Sequence, residues 1–159
     1  MDELAGAPVR DDLRLGPLQG SLGFLLRLSQ LVAFEDFYAA FAEADARPGE
    51  ISVLMLIGEN PGIRQGVLAR NLLIKRAHMA KMVRNFEKVG LVTKSVPPDD
   101  KRGVELRLTA QAERHLEKVR PAFAAHEAGA RHGLDAAEEA ELKRLLRKFL
   151  GMPETGGQP

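Results

Sequence analysis

The fold of this chain is decided between residues 75 and 109, which read KRAHMAKMVRNFEKVGLVTKSVPPDDKRGVELRLT. In the first half, Met79, Val83 and Phe86 lie at helical spacing on one stripe while the basic residues lie off it. This pattern predicts a helix with a basic outer face that ends near Gly90. In the second half, VELRLT alternates apolar and polar residues, as a half-buried strand does. The stretch therefore predicts a helix followed by a β-hairpin.

The predicted hairpin pairs LVTKSV (residues 91–96) with VELRLT (residues 104–109). The intervening PPDDKRG would form a tip that is stiffened by proline and completed by Gly103. Lys101 and Arg102 stand at this tip, far from any core. They are therefore either solvated surface or a probe for a binding partner.

A second helix-and-turn signal lies upstream of this stretch. Asn60-Pro61-Gly62 marks a turn, and IRQGVLARNL (residues 63–72) predicts a short helix with Gln65 and Arg70 outside. Two short helices joined by a tight turn have the form of a helix-turn-helix, and the hairpin then takes the position of a wing.

The remaining predicted helices cover residues 21–44, 50–59, 110–133 and 136–150. The first of them is apolar on more than one face, which predicts burial against its own domain and against a second subunit. Thr109 is placed to cap the third helix, and Pro121 is expected to kink it. Asp135 and Glu138 form a capping pair at the start of the last helix, which carries an apolar stripe.

Charge is distributed unevenly along the chain. Between residues 61 and 109, eleven Lys and Arg residues accompany four acidic ones, a net charge of +7. The remainder holds twelve bases and eighteen acids, a net charge of −6. A basic centre between acidic flanks is typical of a protein that binds a polyanion, although a cluster of solvated charges is the alternative.

The composition argues against several classes of protein. The chain has no cysteine, which excludes disulfides, thiolate metal sites and thiol redox sensing. Its start lacks the pattern of a signal peptide, and no apolar run reaches the roughly 18–20 residues of a membrane span. We therefore expect a cytoplasmic protein that does not bind membranes. His126 and His132 lack metal-ligand spacing, and no nucleophile or phosphate-loop motif occurs, so we expect no enzyme, metal or cofactor.

The order of elements and three passages of sequence resemble the MarR family of bacterial transcription regulators. The passages are VLMLIGENPGIRQGVLARNL, MVRNFEKVGLVTKSVPPDDKRGVELRLT and HGLDAAEEAELKRLLRKFL. The wing pattern, in which Asp100 and Arg102 are followed by Leu108-Thr109, is the most specific part. The resemblance covers roughly residues 21–150 and implies a mainly α fold with a small β-hairpin wing.

The resemblance also implies how the chain is organised. Residues 1–20 would be a flexible arm, 21–150 a single domain and 151–159 a tail. Within the domain, residues 21–44 and 109–150 would form the dimerisation helices and residues 50–108 the winged helix-turn-helix. The implied homodimer would bind a pseudo-palindromic operator in double-stranded DNA.

In the family, the second helix of the motif enters the major groove and the wing tip reaches the adjacent minor groove. The residues expected to contact DNA are Gln65, Lys75, Arg76, His78, Lys81, Arg84, Lys101 and Arg102. Lys81 stands where the family often carries arginine, and Arg102 stands at the minor-groove arginine. Asp100 matches an aspartate that braces basic side chains. Arg64 departs from the Ser or Thr that is common at the start of the first helix of the motif.

The resemblance further implies a repressor that is released from DNA by a small aromatic or phenolic ligand, or by its thioester conjugate. Arg27 and Tyr38 of the first helix are the candidate ligand-binding residues. Arg27 could instead be an intersubunit or surface group, and Tyr38 could belong to the core. Two other functions stay open, namely an architectural DNA-binding protein without an effector and a winged-helix module that binds a protein partner.

Overall fold

A computed structural model describes residues 13–41, 47–97, 103–129 and 132–153. After one 3₁₀ turn at Gly16–Gly20, the elements are α1 Leu22–Ala40, α2 Pro48–Glu59, β1 Ile63–Arg64, α3 Gln65–Asn71, α4 Arg76–Lys88, β2 Val92–Ser95, β3 Glu105–Leu108, α5 Ala110–Gly129 and α6 Ala136–Phe149. This order confirms the predicted mainly helical fold with a winged helix-turn-helix. The chain forms two compact units, residues 1–123 and 124–159.

The first unit is held by two apolar clusters. The larger cluster joins α2, α3, α4, the sheet and α5, and its buried members are Val53, Leu54, Ile57, Leu68, Ala69, Met79, Met82, Val83, Phe86, Val92, Leu106 and Leu116. The smaller cluster joins α1, α2 and α5 around Phe37, Phe41, Ile51 and Val119. In it the rings of Phe37 and Phe41 stack with centroids 4.3 Å apart. Each cluster therefore draws on elements that are distant in sequence.

The first two helices begin differently, α1 with a side-chain cap and α2 with a proline in its first turn. The Ser21 hydroxyl accepts a hydrogen bond from the Phe24 amide at 3.4 Å at the start of α1. The predicted start of α2 at Glu50 is wrong, because the helix already begins at Pro48. Proline is well suited to this position, since its fixed φ is helical and the missing N–H would have no partner in a first turn.

Residues 63 and 64 were predicted to open the helix of α3, and this prediction is wrong. They form the short strand β1, which pairs antiparallel with β3 so that Ile63 faces Leu106 and Arg64 faces Glu105. Gly62, directly before β1, lets the chain turn from α2 into this strand with a φ of +88°, a conformation that other residues adopt only with strain. Its amide donates to the Leu106 carbonyl at 2.8 Å.

The predicted hairpin is confirmed between residues 92 and 108. β2 pairs antiparallel with β3 from Val92 opposite Leu108 to Ser95 opposite Glu105, and the strand order is β1-β3-β2. Leu106 is fully buried, as the alternation predicted, whereas Val96 beyond the end of β2 is 56% exposed. The tip, residues 98–102, lies outside the described residues.

The predicted caps of α5 and α6 are both present. Thr109 accepts a hydrogen bond from the Ala112 amide at 3.2 Å and donates to the Gly90 carbonyl at 2.6 Å. α5 runs through Pro121, and the expected kink stays a prediction. In the second unit, Asp135 and Glu138 form the predicted capping box of α6.

No helix within the described residues is long and apolar enough to cross a membrane.

The turn between α3 and α4 generates a stability prediction. Leu73 has a φ of +54° and is 87% exposed, so it bears left-handed strain of about 1–2 kcal/mol without much burial in return. Glycine removes the strain, but its larger backbone entropy in the unfolded chain lowers the free energy of unfolding by about 0.5–1 kcal/mol. We expect Leu73→Gly to raise the free energy of unfolding by about 0.5–1 kcal/mol, measured by urea denaturation at fixed protein concentration.

Val89→Gly is the matched control, since Val89 is also exposed but has an ordinary φ of −94°. This variant should leave stability unchanged or lower it. A loss of stability in Leu73→Gly comparable with that in Val89→Gly would contradict the strain assigned to Leu73.

Candidate nucleic-acid interface

Helices α3 and α4 form the helix-turn-helix, and a short turn sets the angle between them. The Leu72 amide closes α3 by donating to the Leu68 carbonyl at 2.9 Å. The Ile74 amide then donates back to the Ala69 carbonyl at 2.9 Å. Leu68 and Ala69 are buried, so α3 packs on the core through the turn of the helix that leads into α4.

Burial of one face of α4 decides which face is presented to solvent. Met79, Met82, Val83 and Phe86 are buried in the larger cluster. The predicted DNA-contacting residues of this helix are all exposed: Arg76, His78, Lys81 and Arg84, preceded by exposed Lys75 at the N-cap. At about 100° per residue, Lys81 and Arg84 lie opposite the buried stripe, whereas Arg76 and His78 flank it on its two sides. The exposed surface of these five residues is called the basic face below.

Acidic residues are absent from most of the length of α4. The first acid in α4 is Glu87, in the last turn, and its carboxylate lies 2.6 Å from the Lys94 ammonium of β2. That ion pair ties α4 to the wing, and it leaves the first three turns of the helix without negative charge. The exposed face of α4 thus presents a positive potential to solvent.

A groove of about 320 Å³ extends the basic face toward α2. It is lined by Arg47, Gly49, Glu50, His78, Lys81, Met82 and Asn85. Arg47 thereby adds a cation beside two predicted contact residues, and Glu50 adds one acid. No local pattern in the sequence indicates a role for Arg47, because only the packing of α2 near α4 brings it beside His78 and Lys81.

A second cavity, of about 410 Å³, lies between α3, the start of α4 and the residues that precede β3. Its lining residues are Arg64, Gln65, Gly66, Val67, Ala69, Arg70, Arg76, Gly103 and Val104. The predicted contact residue Gln65 is half-buried here, and Arg76 closes the cavity from the α4 side. The departure from the family pattern at Arg64 and the outward position of Arg70 were the only signals for this site in the sequence.

Two backbone hydrogen bonds join the base of the wing to the helix-turn-helix. The Gln65 amide donates to the Val104 carbonyl at 2.9 Å, and the Gly62 amide donates to that of Leu106 at 2.8 Å. The wing is therefore carried by the same rigid body as α3. The predicted tip residues Asp100, Lys101 and Arg102 lie outside the described residues, so their roles stay predictions.

The two predicted ligand-binding residues lie on α1 and are both exposed. Arg27 and Tyr38 are eleven residues apart, which at about 1.5 Å per residue separates them by about 16 Å along the helix. Tyr38 packs edge-on against Phe37, with ring centroids 6.4 Å apart. Neither residue lines the two cavities described above, so the ligand site stays a prediction.

Comparison with known proteins agrees with this geometry. The model of the MarR family matches residues 47–104, which contain the helix-turn-helix and the base of the wing. A Thauera aromatica protein named for transcriptional regulation of the hcr operon is 30% identical over 148 residues, which cover 91% of this chain and 89% of that relative.

Solved structures extend the similarity to the whole fold. The transcriptional repressor CouR, bound to a 23-mer DNA duplex, superposes with a TM-score of 0.79 at 31% identity, covering 87% of this chain and 98% of CouR. CouR bound to p-coumaroyl-CoA superposes with a TM-score of 0.77 at 29% identity, covering 87% of this chain and 97% of CouR. With its winged helix-turn-helix and relatives similar over nearly their full length, this chain belongs to the MarR family of transcriptional regulators.

Proposed function

We propose that the protein is a homodimeric repressor that binds a pseudo-palindromic operator and leaves it when a small aromatic ligand, or its thioester conjugate, binds. The observation that carries this proposal is the basic face of α4, held outward by burial of the opposite face. The DNA-bound structure of CouR, which is similar over most of this chain, supports it.

An α-helix fits the major groove of B-DNA, so α4 is the element that would read base edges. In this proposal Lys81 and His78 would reach base edges, whereas Lys75 and Arg76 at the start of the helix would hold phosphates. Lys101 and Arg102 would enter the adjacent minor groove, where a narrow groove attracts guanidinium groups. Asp100 would brace them.

Exposed apolar side chains support dimerisation. On α1 they include Leu22, Leu25, Leu31 and Phe34, and on α6 they include Leu142, Leu145, Phe149 and Leu150. Exposed apolar surface of this kind often marks an interaction site. A second copy of the chain would cover these faces, and two-fold symmetry would then place two recognition helices on two half-sites.

The ligand proposal rests on chemistry and on a relative. The chain has no cysteine, so control by thiol oxidation is impossible. CouR has been solved with p-coumaroyl-CoA, a thioester of an aromatic acid. Such a ligand would release DNA by binding more tightly to the form of the dimer that cannot hold the operator.

The proposed dimer predicts an operator whose half-sites are spaced about one helical turn, roughly 34–36 Å, apart.

The proposal also separates residues that contact phosphates from residues that read bases. Arg102→Ala should weaken binding to every sequence and make the slope of log K against log salt shallower by about one. Lys81→Ala should instead reduce discrimination between the operator and its mutants, measured by mobility shift at several salt concentrations.

Lys88→Ala is the control on the same helix, because Lys88 is exposed in the last turn of α4, beyond the proposed reading residues. It should preserve discrimination. Equal effects of Arg102→Ala and Lys81→Ala on operator and random DNA would refute the division between phosphate and base contacts.

The second prediction concerns assembly. Phe149 is 62% exposed in a single chain, so Phe149→Asp should leave the subunit folded while placing a charge in the proposed dimer interface. We expect sedimentation velocity to show a dimer for the unmodified protein and monomers for this variant, with helical circular dichroism retained. Lys148→Asp is the neighbouring control and should remain dimeric. A soluble monomer of the unmodified protein would defeat the dimer proposal.

The third prediction concerns release. Aromatic carboxylates and their CoA thioesters should raise the melting temperature and free the operator in parallel. A hundredfold fall in operator affinity requires about 2.7 kcal/mol of coupling between the two sites. A protein that binds its operator but responds to no member of such a panel would favour the architectural alternative. Release by hydrogen peroxide alone would point to methionine oxidation instead.

A further inference from the structure

Lys94 lies on the core-facing side of β2, where strands normally carry apolar residues. It stands opposite Leu106 in the antiparallel pairing of β2 with β3, and directly paired residues project on the same face of a sheet. Leu106 is fully buried, as is Val92 two residues before Lys94, and both belong to the larger cluster. The lysine therefore continues a buried row of side chains although it carries a charge, and its side chain is 30% exposed.

The counter-charge comes from α4. Glu87 Oε2 lies 2.6 Å from Lys94 Nζ, and the Glu87 side chain is 45% exposed. Glu87 is in the last turn of α4, whereas Lys94 lies three residues beyond Leu91, which is about 10 Å along an extended chain. The ion pair thus reaches back from the middle of the strand to the end of the helix, across the turn that connects them.

The opposite edge of the wing is fixed in another way. There β3 pairs with β1, and the Gln65 amide at the start of α3 donates to the Val104 carbonyl at 2.9 Å. β2 forms the other edge of the sheet, where the Glu87–Lys94 pair holds the strand to α4. The hairpin is therefore attached to α3 by hydrogen bonds on one side and to α4 by an ion pair on the other.

We propose that Glu87 and Lys94 are positioning residues that set the angle of the wing against α4. The inference rests on the proposed DNA-binding function, in which α4 enters the major groove and the wing tip reaches the adjacent minor groove. Binding in both grooves at once requires a fixed distance between helix and tip. A wing that is already held at this distance avoids the entropic cost of being ordered on the DNA.

Long-range electrostatics alone would give Glu87 the opposite effect. A carboxylate close to a polyanion is repelled by it, so the loss of this charge would strengthen binding to every DNA sequence. The positioning role predicts instead that loss of the charge weakens binding to the operator. The sign of the effect on operator affinity therefore separates the two roles.

Glu87→Gln tests the pair in the full-length protein, since glutamine keeps the shape of the side chain and loses its charge. We expect mobility shifts to show operator binding weakened about threefold, as suits an exposed ion pair, while binding to random DNA is equal or tighter. Lys94→Gln should also lower the ratio of operator affinity to random-DNA affinity. The double variant should lower this ratio no further than either single variant, because both remove the same interaction.

Glu113→Gln is the matched control, because Glu113 is an exposed acid in the first turn of α5 and its loss changes the net charge equally. It should preserve the affinity ratio. The combined reversal of Glu87→Lys and Lys94→Glu restores an ion pair at unchanged net charge. It should recover the ratio that either reversal alone loses, a rescue that simple loss of stability would not give.

Amide hydrogen exchange tests the attachment of the wing without DNA. In Glu87→Gln and Lys94→Gln, the amides of β2 should exchange faster while those of α4 keep their protection. Urea denaturation should show nearly unchanged global stability, because exposed ion pairs contribute little to it. The combined reversal should return β2 to the exchange rates of the unmodified protein.

The outcomes separate this inference from the function on which it rests. If the unmodified protein bound neither operator nor random DNA, the proposed function would fall, and hydrogen exchange would still decide whether the pair orders the wing. Tighter binding of Glu87→Gln to both DNAs at an unchanged affinity ratio would overturn the positioning role.

Two other results would assign Lys94 a different role. Equal loss of affinity for both DNAs in Lys94→Gln, with a shallower slope of log K against log salt, would make the lysine a phosphate contact. Unchanged exchange of β2 in both variants, together with self-association of Lys94→Gln, would make it a charge that protects the edge of the sheet from pairing with another chain.

Discussion

Burial of the apolar face of α4 is the constraint on which the rest of the structure depends. Met79 and Val83 are fully buried, and they share one cluster with Ile57 of α2 and Leu106 of β3. Because α4 and β3, the central strand of the sheet, pack on the same residues, their relative position is set by a close-packed interior. Disturbing this cluster would displace the basic face and the wing together.

A few backbone hydrogen bonds add to this core in fixing the wing against the helix-turn-helix. The positive φ of Gly62 lets the chain turn into β1. The amides of Gly62 and Gln65 donate hydrogen bonds to the carbonyls of Leu106 and Val104. Thr109 connects the end of the wing to the end of α4 through the Gly90 carbonyl. Each of these bonds joins two elements that are distant in sequence, so the exposed cations of α4 are presented by a fixed scaffold.

Exposed apolar side chains carry a free-energy penalty in an isolated chain. Leu31 and Phe149 are among those exposed to water, and association with another chain relieves such exposure. The proposed dimer would remove this penalty.

Sequence alone determined the element types, because short-range periodicity and caps report them: the Met79 stripe, the alternation around Leu106 and the Asp135 capping box needed no distant partner. It also determined that α4 would turn basic residues outward. Tertiary structure alone decided that residues 63 and 64 form a strand rather than a helix, since that strand exists only by pairing with β3. It likewise decided that Arg47 joins the α4 face and that three separated arginines share one cavity. Such convergence depends on packing between segments far apart in the chain, and no local pattern encodes it.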